Sequence, residues 1–182
     1  MGKPRWFSQG RGGSIRMRFD DQESALLAGL AAQVIDFVAP EPHDPAQDPL
    51  FAIVGIDPSA TLPDDPALAR LFPDAFTDDD DAAAEFRRFT ERDLRAGKAA
   101  HASTVIASLE SRSDRLDAEQ VAAWLGFLND VRLTLGTRLG ISEDTQAELA
   151  ALAPDDERLG AYALYDWLTY LQDSLVTLLL PR

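Results

Sequence analysis

The hydrophobic period of this chain changes at residue 20, and that change limits what it can build. Before it, Ile15, Met17 and Phe19 alternate with Arg16 and Arg18. A period of two is that of a half-buried strand, here with its arginines facing outward. Arg5-Trp6-Phe7-Ser8 supplies a partner strand, and Gly10-Arg11-Gly12-Gly13 a turn that tolerates positive φ. Two strands alone are marginal in water, so this hairpin must pack on helices or meet another strand.

Beyond residue 20 the apolar spacing is helical. Asp20 or Asp21 caps a helix whose stripe is Leu27, Leu30, Val34 and Val38, ending before Pro40. Residues 39–49 hold four prolines and form an exposed loop. Leu50–Ile56 is a short helix or a buried strand. Asp65 caps a helix with Pro66 at its first position, and Leu68, Leu71 and Phe72 form its buried side. Acidic Asp78–Asp81 opens a long helix to about Leu109, favoured by the helix dipole. Its predicted buried side is Phe86, Phe89, Leu94, Val105, Ile106 and Leu109, and Gly97 is where it would bend or split.

The next start is the clearest. Asp117 and Gln120 form a capping box, and Leu116 and Val121 are spaced as a hydrophobic staple. That helix carries Val121, Trp124, Leu125, Leu128, Leu135 and Leu139 and stops at Gly140. Ser142 caps a shorter helix through Leu152. Pro154 breaks it, and Asp155-Asp156-Glu157 opens the last helix. Leu159, Tyr162, Ala163, Trp167, Tyr170, Leu171, Leu175 and Leu178 line the last helix's apolar side. The expectation is a mainly α, single helical-bundle domain of five or six helices over residues 1–182, with an N-terminal β-hairpin packed on it. A chain of 182 residues can bury roughly 70% of its unfolded surface, so it needs no metal or disulfide to hold together.

Charge divides at the same point as period. The formal net charge is −14, but residues 1–19 sum to +5 and residues 20–182 to −19. An acidic helical body therefore carries a basic hairpin, which argues against a broad nucleic-acid-binding face. There is no cysteine. Disulfides, thiolate nucleophiles, Cys-ligated zinc and iron–sulfur clusters are excluded together. No apolar run follows the basic Met1–Arg5, and none reaches the ~20 residues that cross a bilayer, so the chain reads as cytoplasmic, without a membrane partner.

Chemistry-bearing motifs are few. His43 lies in the proline-rich loop, and His101 has no histidine or carboxylate at i±4. Asp78–Asp81 lacks the alternate ligands and central glycine of a calcium loop. Gly10–Gly13 lacks the Gly-Lys-Ser/Thr ending of a phosphate loop. No metal or cofactor is expected, and an enzyme of unknown reaction ranks last among the functional readings.

Several separated segments carry a family resemblance. They are Asp65-Pro66-Ala67-Leu68-Ala69-Arg70-Leu71-Phe72-Pro73, Glu85–Arg95, Leu128-Asn129-Asp130-Val131-Arg132-Leu133 with Leu135-Gly136-Thr137-Arg138-Leu139, and Tyr165–Gln172. In order, over about residues 5–180, the chain resembles an actinobacterial AosR-like family catalogued as a domain of unknown function. The resemblance implies a regulator of the oxidative-stress response working with an alternative sigma factor. Sensing through an intrachain disulfide, which the resemblance would also imply, has no residue to occur on here. Family genes near a ClpS-type protease adaptor suggest a proteolysis adaptor as the alternative.

Three surfaces are candidates for binding. The basic hairpin, with Lys3, Arg5, Arg11, Arg16 and Arg18, is either a plain exposed strand face or an arm that touches phosphate backbone or an acidic protein. Arg88, Arg92 and Arg95 lie at i, i+4, i+7, as a solvated face paired with Glu85 and Glu91 or as a partner-binding stripe. Asp130, Arg132 and Arg138 are expected to make structural ion pairs with another helix, Asp166 being the suggested partner, with a ligand-binding role as the alternative. A protein partner is expected, nucleic acid only through the hairpin. Trp167, Leu175, Leu178 and Leu179 suggest a homodimer through the last helix.

Overall fold

The computed structural model describes residues 6–10, 14–40, 61–111, 113–145, 149, 152–153 and 155–180. The expected helix or strand at Leu50–Ile56 lies outside them, as do the proline-rich loop beyond Pro40 and much of the helix expected after Ser142. The protein is mainly α. Its elements run β1 (Phe7–Gln9), β2 (Ile15–Met17), α1 (Asp21–Val38), α2 (Pro66–Leu71), α3 (Asp80–Glu110), β3 (Arg115–Leu116), α4 (Ala118–Leu139) and α5 (Arg158–Leu179).

The hairpin meets a third strand. The sheet is antiparallel in the order β1-β2-β3, with Phe7 opposite Met17, and Ile15 opposite Leu116. Phe7, Ile15, Met17 and Leu116 are buried. Alternation then turns Ser8, Arg16 and Arg115 to the other face of the sheet.

The helix starts follow their caps. Asp20 accepts from the Glu23 amide while Glu23 reaches back to the Asp20 amide, and Asp117 and Gln120 repeat this box at α4. Asp65 accepts from the amides of Ala67 and Leu68 at the Pro66 start of α2. Gly140 ends α4 at φ 65°, a left-handed conformation that glycine adopts without steric cost. α5 begins at Arg158, later than the Asp155–Glu157 start expected. The Asp156 carboxylate accepts from the Arg158 amide at 2.9 Å and from its guanidinium, supplying the cap that Glu157 does not.

The helices stack α1 on α3, α3 on α4 and α4 on α5, with α2 against α4 and α5 against β1. Trp124 sits at the join. Its ring stacks on Phe19 at 5.4 Å and meets Phe7 and Phe127 edge-on. Its Nε1 donates to Ser108 Oγ at 2.9 Å, so the one polar atom of a fully buried indole is satisfied. Trp6 packs edge-on against Trp167 and Tyr170 of α5 and donates to Glu23 of α1, tying the sheet to both ends of the bundle.

The long helices bury partly different residues from those that the sequence pattern picks out. α3 runs unbroken through Gly97, and its N-terminal half buries Ala83, Arg87 and Glu91, leaving Phe86, Phe89 and Leu94 exposed. A charge network described below takes the inward side, so Phe86 and Phe89 lie outside it. In α5 the buried residues are Tyr162, Leu168, Leu171 and Leu175, while Ala163 and Tyr170 are exposed.

The α3–α4 contact depends on Gly126. A Cβ there would lie 2.4 Å from His101 Nδ1 and 2.9 Å from its Cε1, closer than real contacts allow. Gly126→Ala should therefore destabilise the protein by about 1–3 kcal/mol, read as a lower urea midpoint. Arg158 holds the Asp156 carboxyl down to about 2 through its side chain and amide. Its contribution is present above the ordinary carboxylate range and disappears as pH falls through about 2. In a carboxyl NMR titration Asp156 should have its midpoint near that value, and Arg158→Ala should move it upward.

Candidate functional site

The sheet gathers arginines that the sequence leaves apart. Register sets Arg16 directly opposite Arg115, and Arg18, one residue past the end of β2, is also exposed. Directly opposed residues lie ~4.5–5.5 Å apart at Cβ, and like charges so placed repel. Asp114, just before β3, relieves this. Arg16 Nε donates to Asp114 Oδ2 at 2.8 Å, and its Nη2 bonds the same oxygen. The Arg16 hydrogen bond holds the Asp114 carboxyl below its ordinary range. Both side chains are about half exposed, and solvent screens such surface pairs so that they contribute little. The pair can therefore open for a competing anion at little cost.

Arg115 was missing from the candidate residues read from sequence. The two-residue run Arg115-Leu116 has no readable period, and only pairing with β2 makes it a strand. The other expected hairpin residues, Lys3, Arg5 and Arg11, lie outside the described residues.

The helical arginine stripe does not present one face. Arg88 and Arg92 are exposed, but Arg95 turns inward. Its guanidinium donates to Glu91 at 2.7 and 2.9 Å and to the carbonyls of Val38 and Ala39, at the C-terminus of α1, at 3.2 Å. It also lies 4.6 Å above the Phe72 ring. Glu91 bonds Arg87 with its other oxygen at 2.7 Å, and Arg87 reaches Asp74 and the Phe72 carbonyl at 2.8 and 2.9 Å. Burial opposes the Arg87 charge, but the bonds to Asp74 and Glu91 outweigh it, and its proton is held more tightly than usual. The network joins the ends of α1 and α2 to α3.

Asp130, Arg132 and Arg138 also face other elements, but not Asp166, which is exposed. Buried Asp130 pairs with Lys98 of α3 at 2.7 Å, Arg132 reaches Thr169 and Gln172 of α5, and Arg138 pairs with Asp65 at 2.6 Å. The face expected to dimerise on α5 is partly consumed within one copy: Leu175 is buried and Trp167 packs on Trp6. Leu179 remains exposed.

A notch between α2 and α3, lined by Phe72, Asp74, Ala83, Phe86, Arg87 and Leu94, has a volume of about 30 Å³. Small-molecule sites run to roughly 300–1,000 Å³, so this notch has room for a water but not for a substrate. Among the described residues no cluster of three or more His, Asp or Glu side chains could hold a metal ion, and no helix is long and apolar enough to cross a membrane.

Fold and site together define a small helical bundle with a basic three-stranded sheet at one end. The chain belongs to the family described as "Domain of unknown function (DUF2017)", which matches residues 4–179. It is 31% identical over 186 residues to "Oxidative stress regulator AosR" of Mycobacterium tuberculosis, covering 93% of this chain and 84% of that protein. It is 30% identical over 174 residues to "Putative oxidative stress regulator AosR" of Mycobacterium leprae, covering 87% of this chain and 79% of that one. No solved structure matches it. Regulation is thus the role named among its relatives.

The network and the surface pair should respond differently to mutation. Glu91→Gln leaves two buried guanidinium groups without their shared anion and should cost about 3–5 kcal/mol. Asp114→Ala should leave the urea midpoint almost unchanged. Urea unfolding of both variants beside the wild type measures the contrast.

Proposed function

We propose that this chain is a non-enzymatic regulator that acts by contact, binding an acidic surface of a protein partner through Arg16, Arg18 and Arg115. The supporting observation is the register that sets Arg16 opposite Arg115, an arginine of a body that sums to −19 with Arg115 included. Stress control is the process that the relatives' names suggest, and the sequence resemblance points to transcription. With no cysteine, this chain cannot respond to oxidant through a thiol of its own.

A protein partner fits better than duplex DNA. Three arginines displace few counterions, whereas a strongly acidic body repels the phosphate backbone beyond the patch. Because these charges are solvent-exposed, they should act on association rate and salt dependence more than on the lifetime of the complex.

The test is crosslinking and affinity capture from the native cell, with the wild type and the Arg16→Glu/Arg18→Glu/Arg115→Glu variant compared at low and moderate salt. The wild type should capture a defined protein partner, and the variant should lose it while keeping its helical circular dichroism. Equal capture by both would refute the assignment. Duplex DNA binding that the variant abolishes would move it to nucleic acid.

A further inference from the structure

The outward face of α3 has features that neither the core nor the sheet explains. Phe86 and Phe89 are 46% and 53% exposed. Phe76, 47% exposed, packs edge-on against Phe86 at 6.0 Å and widens the patch. Phe89 lies directly opposite the buried side set by Ala83, Arg87 and Glu91. Exposed aromatics grouped this way mark an interaction surface more often than chance exposure does.

The spacing identifies the occupant. Ala82, Phe89 and Ala96 follow one another at intervals of seven, which is a packing seam on a helix. A large residue sits at the centre and a small one at each end. An antiparallel copy of the same helix, related by a two-fold axis at Phe89, would set Phe89 on Phe89 and each Ala82 against the copy's Ala96. Glu85 and Arg92, also seven apart, share one flank of that seam. The same two-fold axis brings each Glu85 toward the copy's Arg92. Asp93 lies on the other flank beside Phe86, away from the copy's Glu85. The face thus carries its own complement in size and in charge, as an interface with two-fold symmetry requires.

We propose that α3 is a self-association surface, on which a second copy of this chain packs its own α3 antiparallel across Phe89. The seam covers about 22 Å of helix, a small interface, so the dimer should be in exchange with monomer.

Sedimentation equilibrium of the full chain at physiological ionic strength tests this, over roughly 1–100 μM. The wild type should pass from monomer to dimer across that range. Phe89→Asp should stay monomeric with unchanged circular dichroism. Glu85→Arg should weaken the dimer about fivefold, and Glu85→Arg with Arg92→Glu should restore it. Because the chain has no cysteine, a single introduced thiol reports the geometry independently. Under mild oxidation Phe89→Cys should give a covalent dimer on a non-reducing gel, and Ser103→Cys, further along the exposed side of α3, should not. A wild type that is monomeric throughout would overturn the proposal. So would a dimer that survives Phe89→Asp, one lost only with Leu179→Glu, or equal crosslinking from both thiols.

Discussion

The contacts of Trp124 hold the two parts of this protein together. A three-stranded sheet with strands this short cannot hold itself in water. It persists because Phe7 and Phe19 lie against the Trp124 ring of α4, while Ser108 of α3 accepts the indole N–H. One side chain therefore connects the sheet, the long helix and its partner. Truncating a fully buried tryptophan typically costs ~3–5 kcal/mol. The arginine row on the far side of the sheet depends on the same anchorage. Arg16 and Arg115 oppose each other only while Ile15 and Leu116 are held in the core.

The second constraint is ionic. Arg87, Glu91 and Arg95 occupy a side of α3 that a simple amphipathic helix would fill with aliphatic residues. Their partners include backbone carbonyls at the ends of α1 and α2, which no longer have helical donors of their own. A buried ion network of this kind contributes uncertain net stability, because desolvation offsets attraction. It does fix where α1 and α2 end relative to α3. It also leaves the helix's aromatic residues outside. The fold and the exposed Phe86–Phe89 face thus share one cause.

Membership of a family whose relatives are named for oxidative stress frames the absence of cysteine. Whatever signal this chain answers to, the chemistry cannot be its own disulfide. The sheet's arginines and the α3 seam lie on different elements, so binding at one surface and pairing at the other can be tested separately by mutation.

Much of the framework was legible in the sequence, because it rests on local rules. The boxes at Asp20/Glu23 and Asp117/Gln120, the Asp65-Pro66 start and the Gly140 stop each satisfy backbone groups within a few residues. The strand alternation around Arg16, the charge division at residue 20 and the exclusion of thiol chemistry are equally local or purely compositional. The tertiary structure decided what depends on distant partners. Arg115-Leu116 is a strand only because β2 is beside it. Arg87 and Arg95 turn inward only because Asp74 and the ends of α1 and α2 offer acceptors there. Phe86, Phe89 and Leu94 have core composition and surface positions, since periodicity reports that a helix has faces but not which face a neighbour will take.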